Sequence, residues 1–152
     1  MDTRDVETVI QYADMLQIGA RNAQNYALLK EVGKYDMPVL LKRGMWMTLV
    51  EFLQAAEHII SVNGNCNIVL CERGSTSTDG KTRYNLDAKV IQAVKKASYL
   101  PIIGDPSHPA GMREYVVEFA KDLMTAGADG LIIEVHTNPD RALCDGLQSL
   151  HA

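Results

Sequence analysis

The stretch Leu100-Pro101-Ile102-Ile103-Gly104-Asp105-Pro106-Ser107-His108 decides the fold class, because an apolar run of strand length is followed at once by polar residues. The run is almost continuously apolar and lacks the strict alternation of a strand with one solvated face. Runs of this kind are typical of strands buried on both faces, as in a parallel sheet covered by helices. The stretch therefore predicts a buried strand that ends at a polar edge.

The same pattern occurs four more times, over residues 14–20, 38–42, 67–71 and 130–134. Amphipathic stretches of helical length lie over 25–33, 48–62, 86–100 and 112–126, and a short helix is expected near 140–143. Thr48, followed three residues later by Glu51, predicts a capping box at the start of the second helix. Strands and helices alternate with one unit about every 25–30 residues, which indicates a parallel sheet with right-handed crossovers.

Two architectures fit this order, an open doubly wound sheet and a (β/α)8 barrel. No Gly-x-Gly-x-x-Gly turn follows the first strand, which weakens the dinucleotide-binding form of the open sheet. The barrel is favoured because barrel enzymes build their sites from residues at the carboxyl ends of the strands. Polar residues at those positions here are Arg21, Lys42, Arg43, Glu72, Arg73, Asp105, His108, Glu134 and His136. A complete barrel takes about 250 residues, so the five units of this chain predict a partial barrel of the TIM type.

Composition and charge exclude several classes of protein. The chain has 152 residues, of which 47% are hydrophobic and 22% are charged, and its net charge is −4. These values fit one globular domain or part of one, and they argue against a partner that is a nucleic acid or a membrane. The polar start at Asp2 to Asp5 excludes a secretory signal peptide, and no run approaches the roughly 20 apolar residues of a membrane helix. Three cysteines do not make a disulfide framework, so a cytoplasmic location is expected.

Cationic side chains are predicted to converge on one rim of the sheet, because Arg21, Lys42, Arg43 and Arg73 come from different strand ends. In an acidic chain this indicates an anionic small molecule such as a phosphate or a carboxylate. The alternative for any single cation is an ion pair with a neighbouring carboxylate, for instance Arg73 with Glu72. The sequence leaves both interpretations open.

One histidine and two carboxylates form a second candidate group, His108, Glu134 and Asp145. This donor set suits a divalent metal such as Mn²⁺, Fe²⁺ or Zn²⁺. The alternative for His108 is a hydrogen-bonded loop residue. Cys66 and Cys71 lack the second pair that a zinc site requires, and Cys71 is expected to be a small buried hydrophobic residue.

Six motifs follow one another along the chain: Leu16-Gln17-Ile18-Gly19-Ala20-Arg21-Asn22, Leu41-Lys42-Arg43-Gly44, Cys71-Glu72-Arg73-Gly74, Asp105-Pro106-Ser107-His108, Ile133-Glu134-Val135-His136 and Asp145-Gly146-Leu147-Gln148-Ser149-Leu150. In this order and spacing the sequence resembles the 3-deoxy-D-arabino-heptulosonate 7-phosphate (DAHP) synthases, in their short type I-beta form. The resemblance covers nearly the whole chain and implies a (β/α)8 barrel. Residues 1–152 would be its C-terminal part, roughly strands 4 to 8, with no second domain.

The resemblance also implies an activity, the condensation of phosphoenolpyruvate with erythrose 4-phosphate at the entry to the shikimate pathway. Arg21 and Arg73 would hold the phosphate of phosphoenolpyruvate, and Lys42 would contact the same substrate near its carboxylate and reacting carbon. Gly19, Ala20 and Arg43 would complete the substrate-binding residues.

The catalytic residues implied by the resemblance are Lys42, Glu72 and His108, with Glu72 positioning the water that adds to the substrate. His108, Glu134 and Asp145 would be three of four ligands to a divalent metal (Mn²⁺, Fe²⁺, Co²⁺ or Zn²⁺). That metal would orient and polarise the aldehyde of the sugar phosphate.

Two motifs of the family have no counterpart here, the Gly-Pro-Cys segment with the fourth metal ligand and the Lys-Pro-Arg-Thr segment that binds both substrates. The first three β/α units are therefore expected to be missing, and the chain is expected to form a homo-oligomer or to need a complementing N-terminal half. The alternatives are a non-catalytic fragment or assembly half, and the related 3-deoxy-octulosonate 8-phosphate synthase, from which Gly19-Ala20-Arg21-Asn22 distinguishes this chain. The chain alone is expected to show no measurable condensation.

Overall fold

A parallel sheet forms the centre of the computed structural model, which describes residues 2–76 and 84–152. In chain order the strands are β1 (Leu16–Ile18), β2 (Val39–Lys42), β3 (Ile68–Glu72), β4 (Ser75–Thr76), β5 (Tyr84–Asn85), β6 (Ile102–Gly104), β7 (Val135–His136) and β8 (Leu150–His151). The central sheet has the order β1-β2-β3-β6, and β4 and β5 form a separate antiparallel pair. The predicted α/β fold with a parallel sheet is confirmed.

The apolar runs are buried as their composition predicts. Leu41 of β2 and Leu70 of β3 are paired in register, Leu70 is paired in turn with Ile102 of β6, and all three are 0% exposed. Because the four strands of the central sheet run in the same direction, their carboxyl ends all lie at one edge of that sheet. That edge carries the polar residues that follow each run.

Helices connect the strands close to where amphipathic periodicity predicts them. They are α1 (Val6–Val9), α2 (Tyr26–Val32), α3 (Leu49–Asn63), α4 (Lys89–Ala97), α5 (Ser107–Ala110) and α6 (Arg113–Thr125), with 3-10 turns at Thr3–Asp5, Ala20–Asn22 and Pro139–Arg141. The capping box of Thr48 and Glu51 is confirmed, and α3 ends at Gly64, whose φ of 81° is left-handed. Within the described ranges, no helix combines the length and the apolar character needed to cross a bilayer.

The run over residues 130–134 joins the sheet less than its sequence predicts. It makes one bridge, between Leu131 and Gly104 of β6. At the end of the run, the backbone of Glu134 bonds to groups outside β6. Its N–H donates to Ser107 Oγ at 3.0 Å, and its carbonyl accepts from Leu150 N–H at 2.9 Å. Competition from these partners explains why a predicted strand is reduced to a single bridge.

The cysteines differ enough in exposure for a chemical test of the fold. Cys71 is 0% exposed, and its burial raises the pKa of its thiol, whereas Cys66 and Cys144 are exposed. Because the thiolate is the reactive form, we expect iodoacetamide at neutral pH to alkylate Cys66 and Cys144 and to spare Cys71, as read by peptide mass mapping. In denaturant all three should react. Labelling of native Cys71 at the rate of the other two would contradict the buried position of β3.

Candidate active site

A cleft of about 370 Å³ opens at the carboxyl ends of the strands of the central sheet. Its lining residues are Gln17, Gly19, Ala20, Arg21, Lys42, Arg73, Asp105, His108, Ile132, Ile133 and Glu134. The structure therefore brings together residues that are far apart in sequence, because they lie at or just beyond the carboxyl ends of parallel strands. Gln17 carried no expected role, although it lies within the first motif.

Three of the four predicted cations line this cleft. Lys42 ends β2 and Arg73 follows β3, and both are buried, whereas Arg21 lies in the exposed turn after β1. The guanidinium of Arg73 lies 4.0 Å from the centre of the Tyr84 ring, a cation–π contact that orients it. A small anion in the cleft can therefore meet positive charge from three strand ends.

The predicted metal group is also assembled. One donor atom each from His108, Glu134 and Asp145 lies within 4.8 Å of the others, and His108 Nε2 lies 3.2 Å from Glu134 Oε1. An imidazole with two carboxylates is a donor set that first-row divalent ions accept. The chemistry of the donors therefore fits such an ion.

The two carboxylates are positioned in different ways, Glu134 by a side-chain amide and Asp145 by its backbone conformation. Gln148 Nε2 donates to Glu134 Oε2 at 3.2 Å, and Gln148 is 1% exposed. Of the non-glycine residues that the structure describes, Asp145 is the one with a positive φ, 52°. Aspartate tolerates the left-handed region better than most residues, and such outliers often occur at functional sites.

Arg113, which the sequence analysis did not single out, fixes the loop that carries Asp145. Its Nε donates to Ser149 O at 2.8 Å, its Nη2 donates to Gly146 O at 3.2 Å, and its backbone N–H donates to Leu147 O at 2.7 Å. An arginine at the start of an amphipathic helix gives no local signal of this role. Only the packing of α6 against the C-terminal loop reveals it.

Asp105 was predicted to lie at a strand end but was given no role. Its Oδ2 accepts from Lys42 Nζ at 2.5 Å and lies 2.6 Å from His108 Nδ1, and its Oδ1 accepts from His108 N–H at 3.1 Å. Burial works to raise the pKa of Asp105, but the adjacent imidazole of His108 and the charge of Lys42 outweigh it and hold that pKa below its usual range. The available signal was its spacing of three residues before His108.

Arg43 and Glu72 bond to each other and are not among the described residues that line the cleft. Arg43 Nε donates to Glu72 Oε2 at 2.5 Å, Arg43 Nη2 donates to Glu72 Oε1 at 2.9 Å, and Glu72 is 0% exposed. Burial works against the charge of Arg43, but Glu72 more than compensates and raises the pKa of Arg43. An ion pair is thus observed for Arg43, as it is for Lys42 with Asp105. Substrate contact by Arg43 or Glu72 stays a prediction.

Comparisons with known proteins give one consistent result. The model of the DAHP synthetase I family matches residues 1–152. A phospho-2-dehydro-3-deoxyheptonate aldolase from Thermotoga maritima is 49% identical over 146 residues, and a 2-dehydro-3-deoxyphosphooctonate aldolase from Syntrophotalea carbinolica is 31% identical over 160 residues. A solved structure of a truncated 3-deoxy-D-arabino-heptulosonate 7-phosphate synthase from Thermotoga maritima superposes with a TM-score of 0.95 at 46% identity, over 99% of this chain and 57% of that one.

The matches cover this chain far more completely than they cover the relatives. The two aldolases match 96% and 98% of the chain but only 43% and 56% of their own length. The chain therefore spans about half the length of the curated relatives it matches.

Proposed function

The chain belongs to the DAHP synthetase I family, and from this premise we propose that it supplies part of an active site that condenses phosphoenolpyruvate with erythrose 4-phosphate. The observation that carries the proposal is one cleft in which Arg21, Lys42 and Arg73 lie beside His108 and Glu134. Cations suit the phosphate and carboxylate groups of the first substrate, and the histidine and carboxylate suit a divalent metal. The product is DAHP, and the pathway is that of aromatic amino-acid biosynthesis.

The overall reaction joins a three-carbon and a four-carbon substrate. A bond forms between the enol carbon of phosphoenolpyruvate and the aldehyde carbon of erythrose 4-phosphate. One water adds at C2 of the former phosphoenolpyruvate, and inorganic phosphate leaves. The seven-carbon product and phosphate account for both substrates and the water.

The cations are assigned to phosphoenolpyruvate. Arg21 and Arg73 hold its phosphate, since guanidinium groups bind phosphate oxygens in pairs. Lys42 contacts the carboxylate and the reacting end of the same molecule. Gly19 and Ala20, which follow β1 and line the cleft, are small residues that leave room beside Arg21.

His108, Glu134 and Asp145 are assigned to a divalent cation, for which Mn²⁺, Fe²⁺, Co²⁺ and Zn²⁺ are all compatible with the donors. When bound, this ion supplies Lewis-acid polarisation of the aldehyde oxygen. Glu72 is assigned, as the resemblance implies, to position the water that adds to the substrate. Its bonds to Arg43 and to the N–H of Gly74, the latter at 2.7 Å, hold the segment that presents Arg73.

We further propose that the chain is the C-terminal part of a (β/α)8 barrel, about five units in a single domain, and that it completes its site with a complementing N-terminal half or a second copy. Among the described strands, β1 pairs on one side only, with β2. Apolar side chains are also exposed near the site, with Leu143 at 104% and Leu147 at 77%. An unpaired strand edge and exposed leucines are features that a partner would cover.

A cytoplasmic location belongs to the same proposal. It is supported by three cysteines that are free thiols in the structure. Free thiols are typical of a reducing compartment.

Thermal unfolding with phosphoenolpyruvate and Mn²⁺ tests whether the site binds its ligands. A ligand at 100 times its Kd stabilises the folded state by about 2.7 kcal/mol, so we expect Tm to rise by roughly 5–10 °C for a chain of this size. Arg21→Gln should abolish the part of the shift that phosphoenolpyruvate causes. Arg141→Gln is the matched control, because Arg141 is also exposed but does not line the cleft. A Tm that changes with neither phosphoenolpyruvate nor Mn²⁺ would contradict the proposal.

The activity itself is tested by phosphate release from phosphoenolpyruvate with each sugar phosphate. We expect no turnover by the chain alone, and turnover with erythrose 4-phosphate after addition of the N-terminal half of the Thermotoga maritima relative. A five-carbon aldose phosphate should not replace erythrose 4-phosphate as a substrate. The five-carbon compound is the one that synthesis of an eight-carbon product would require. Preference for the five-carbon substrate would assign the chain to octulosonate synthesis instead.

A further inference from the structure

One carboxylate, that of Asp105 at the end of β6, connects the anion-binding side of the cleft with the metal-binding side. Its Oδ2 lies 2.5 Å from Lys42 Nζ and 2.6 Å from His108 Nδ1, and Asp105 is 1% exposed. We propose that Asp105 is a positioning residue through which binding of phosphoenolpyruvate at Lys42 and of a divalent cation at His108 strengthen each other. This inference rests on the proposed function.

The contact with His108 determines which ring nitrogen is available to a metal. His108 Nδ1 is buried 2.6 Å from Asp105 Oδ2, which favours a proton on Nδ1 and leaves Nε2 as the ligand atom, and Nε2 is the nitrogen that lies 3.2 Å from Glu134 Oε1. The other oxygen of Asp105 accepts the N–H of His108 at 3.1 Å, so that both carboxylate oxygens fix the same residue. A carboxylate in this position orients the ring and favours the tautomer that leaves Nε2 to the metal.

Because Asp105 also contacts Lys42, the influence of its charge on His108 depends on whether an anion is bound in the cleft. The ammonium of Lys42 offsets part of the negative charge that Asp105 presents to His108, and burial of both groups limits screening by water. Lys42 also lines the cleft, where an anion can reach it. An anion bound to Lys42 reduces the offset, so that His108 experiences more of the charge of Asp105 and the cation binds more tightly. By linkage the cation must strengthen binding of the anion by the same factor.

Asp105→Asn tests the inference, because it removes the charge and keeps the size of the side chain. The affinity of the full chain for Mn²⁺ is measured by titration with and without phosphoenolpyruvate, and the affinity for phosphoenolpyruvate with and without Mn²⁺. In the unaltered chain we expect each ligand to tighten the other about five- to tenfold. In Asp105→Asn we expect Mn²⁺ to bind about 10–100-fold more weakly. We also expect that neither ligand changes the affinity of the variant for the other. Phosphoenolpyruvate should bind without Mn²⁺ at least as tightly as before, whereas a merely structural defect would weaken both ligands.

Asp129→Asn is the matched control. Asp129 likewise accepts from a lysine, Lys95 Nζ at 2.5 Å, and from a backbone N–H, that of Ile102 at 2.9 Å, but it lies outside the cleft. Its substitution should leave both affinities and their mutual effect unchanged.

The possible results distinguish a failure of the inference from a failure of the proposed function. If the unaltered chain binds neither ligand, the proposed function and the inference are both overturned. If Asp105→Asn keeps the full mutual effect, only the inference is overturned. Should that variant fail to fold, Lys42→Gln decides: Mn²⁺ alone should bind more tightly than to the unaltered chain, by the factor that phosphoenolpyruvate produces there. Unchanged or weaker binding of Mn²⁺ by Lys42→Gln would overturn the inference.

Discussion

Glu72→Ala is expected to destabilise the folded chain by about 3–5 kcal/mol, because it leaves the guanidinium of Arg43 buried without its counter-charge. The two side chains are only 6% and 0% exposed, so water cannot replace the lost partner. The same change removes the acceptor for the N–H of Gly74. The measurement is the free energy of unfolding from urea titration followed by circular dichroism.

Two further variants show whether the ion pair causes that loss. Glu57→Ala changes an exposed glutamate on α3 and should alter stability by less than about 0.5 kcal/mol. The double substitution Arg43→Met with Glu72→Leu removes both charges at once, and we expect it to be more stable than Glu72→Ala, since well-packed apolar residues often replace a buried pair at little cost. A Glu72→Ala chain as stable as the unaltered one would show that the pair is not a main determinant of the fold.

His108→Ala is expected to lower the affinity for Mn²⁺ by at least about 100-fold, more than the loss of an outer-shell partner usually costs. The reason is that His108 offers the nitrogen donor of a group whose other donors are carboxylates, and its ring lies between Asp105 and Glu134. Isothermal titration of the metal-free chain with Mn²⁺ measures the effect. Circular dichroism of the same sample establishes that the variant is folded.

His136→Ala is the matched control for this prediction. His136 lies in β7, close in sequence to Glu134, and its Nδ1 accepts the N–H of Asn138 at 2.9 Å. Its loss should leave Mn²⁺ affinity intact. If His108→Ala binds Mn²⁺ as tightly as the unaltered chain, the assignment of His108 as a ligand is wrong.

The sequence predicted the parallel sheet and the edge at which the site lies for reasons that are local. Continuous apolar runs predict strands buried on both faces, and Leu41, Leu70 and Ile102 are such residues. The capping box of Thr48 and Glu51 is likewise a property of four consecutive residues. Convergence of strand ends needs only the rule that parallel strands share a direction, which is why Lys42 and Arg73 could be placed on one rim.

Ion pairing could not be predicted in the same way. Lys42 and Glu72 end β2 and β3, and Arg43 and Arg73 follow them, yet Arg43 and Glu72 bond to each other while Lys42 and Arg73 line the cleft. Neighbours along an extended chain point to opposite sides, so a one-residue difference in position decides which side chain reaches the site. The sequence names the candidates but does not give that orientation.

From the sequence alone, the four strands of the central sheet, the helices that follow them, the burial of the sheet and the polar side chains at its carboxyl edge were predicted. These follow from periodicity and from chain direction, which are properties of short segments. The tertiary structure alone decided that the run over 130–134 contributes one bridge, that Arg113 fixes the loop of Asp145, and that Asp105 joins Lys42 to His108. Each of these depends on contacts between segments far apart in the chain, where a shift of a few ångströms in packing changes the partner.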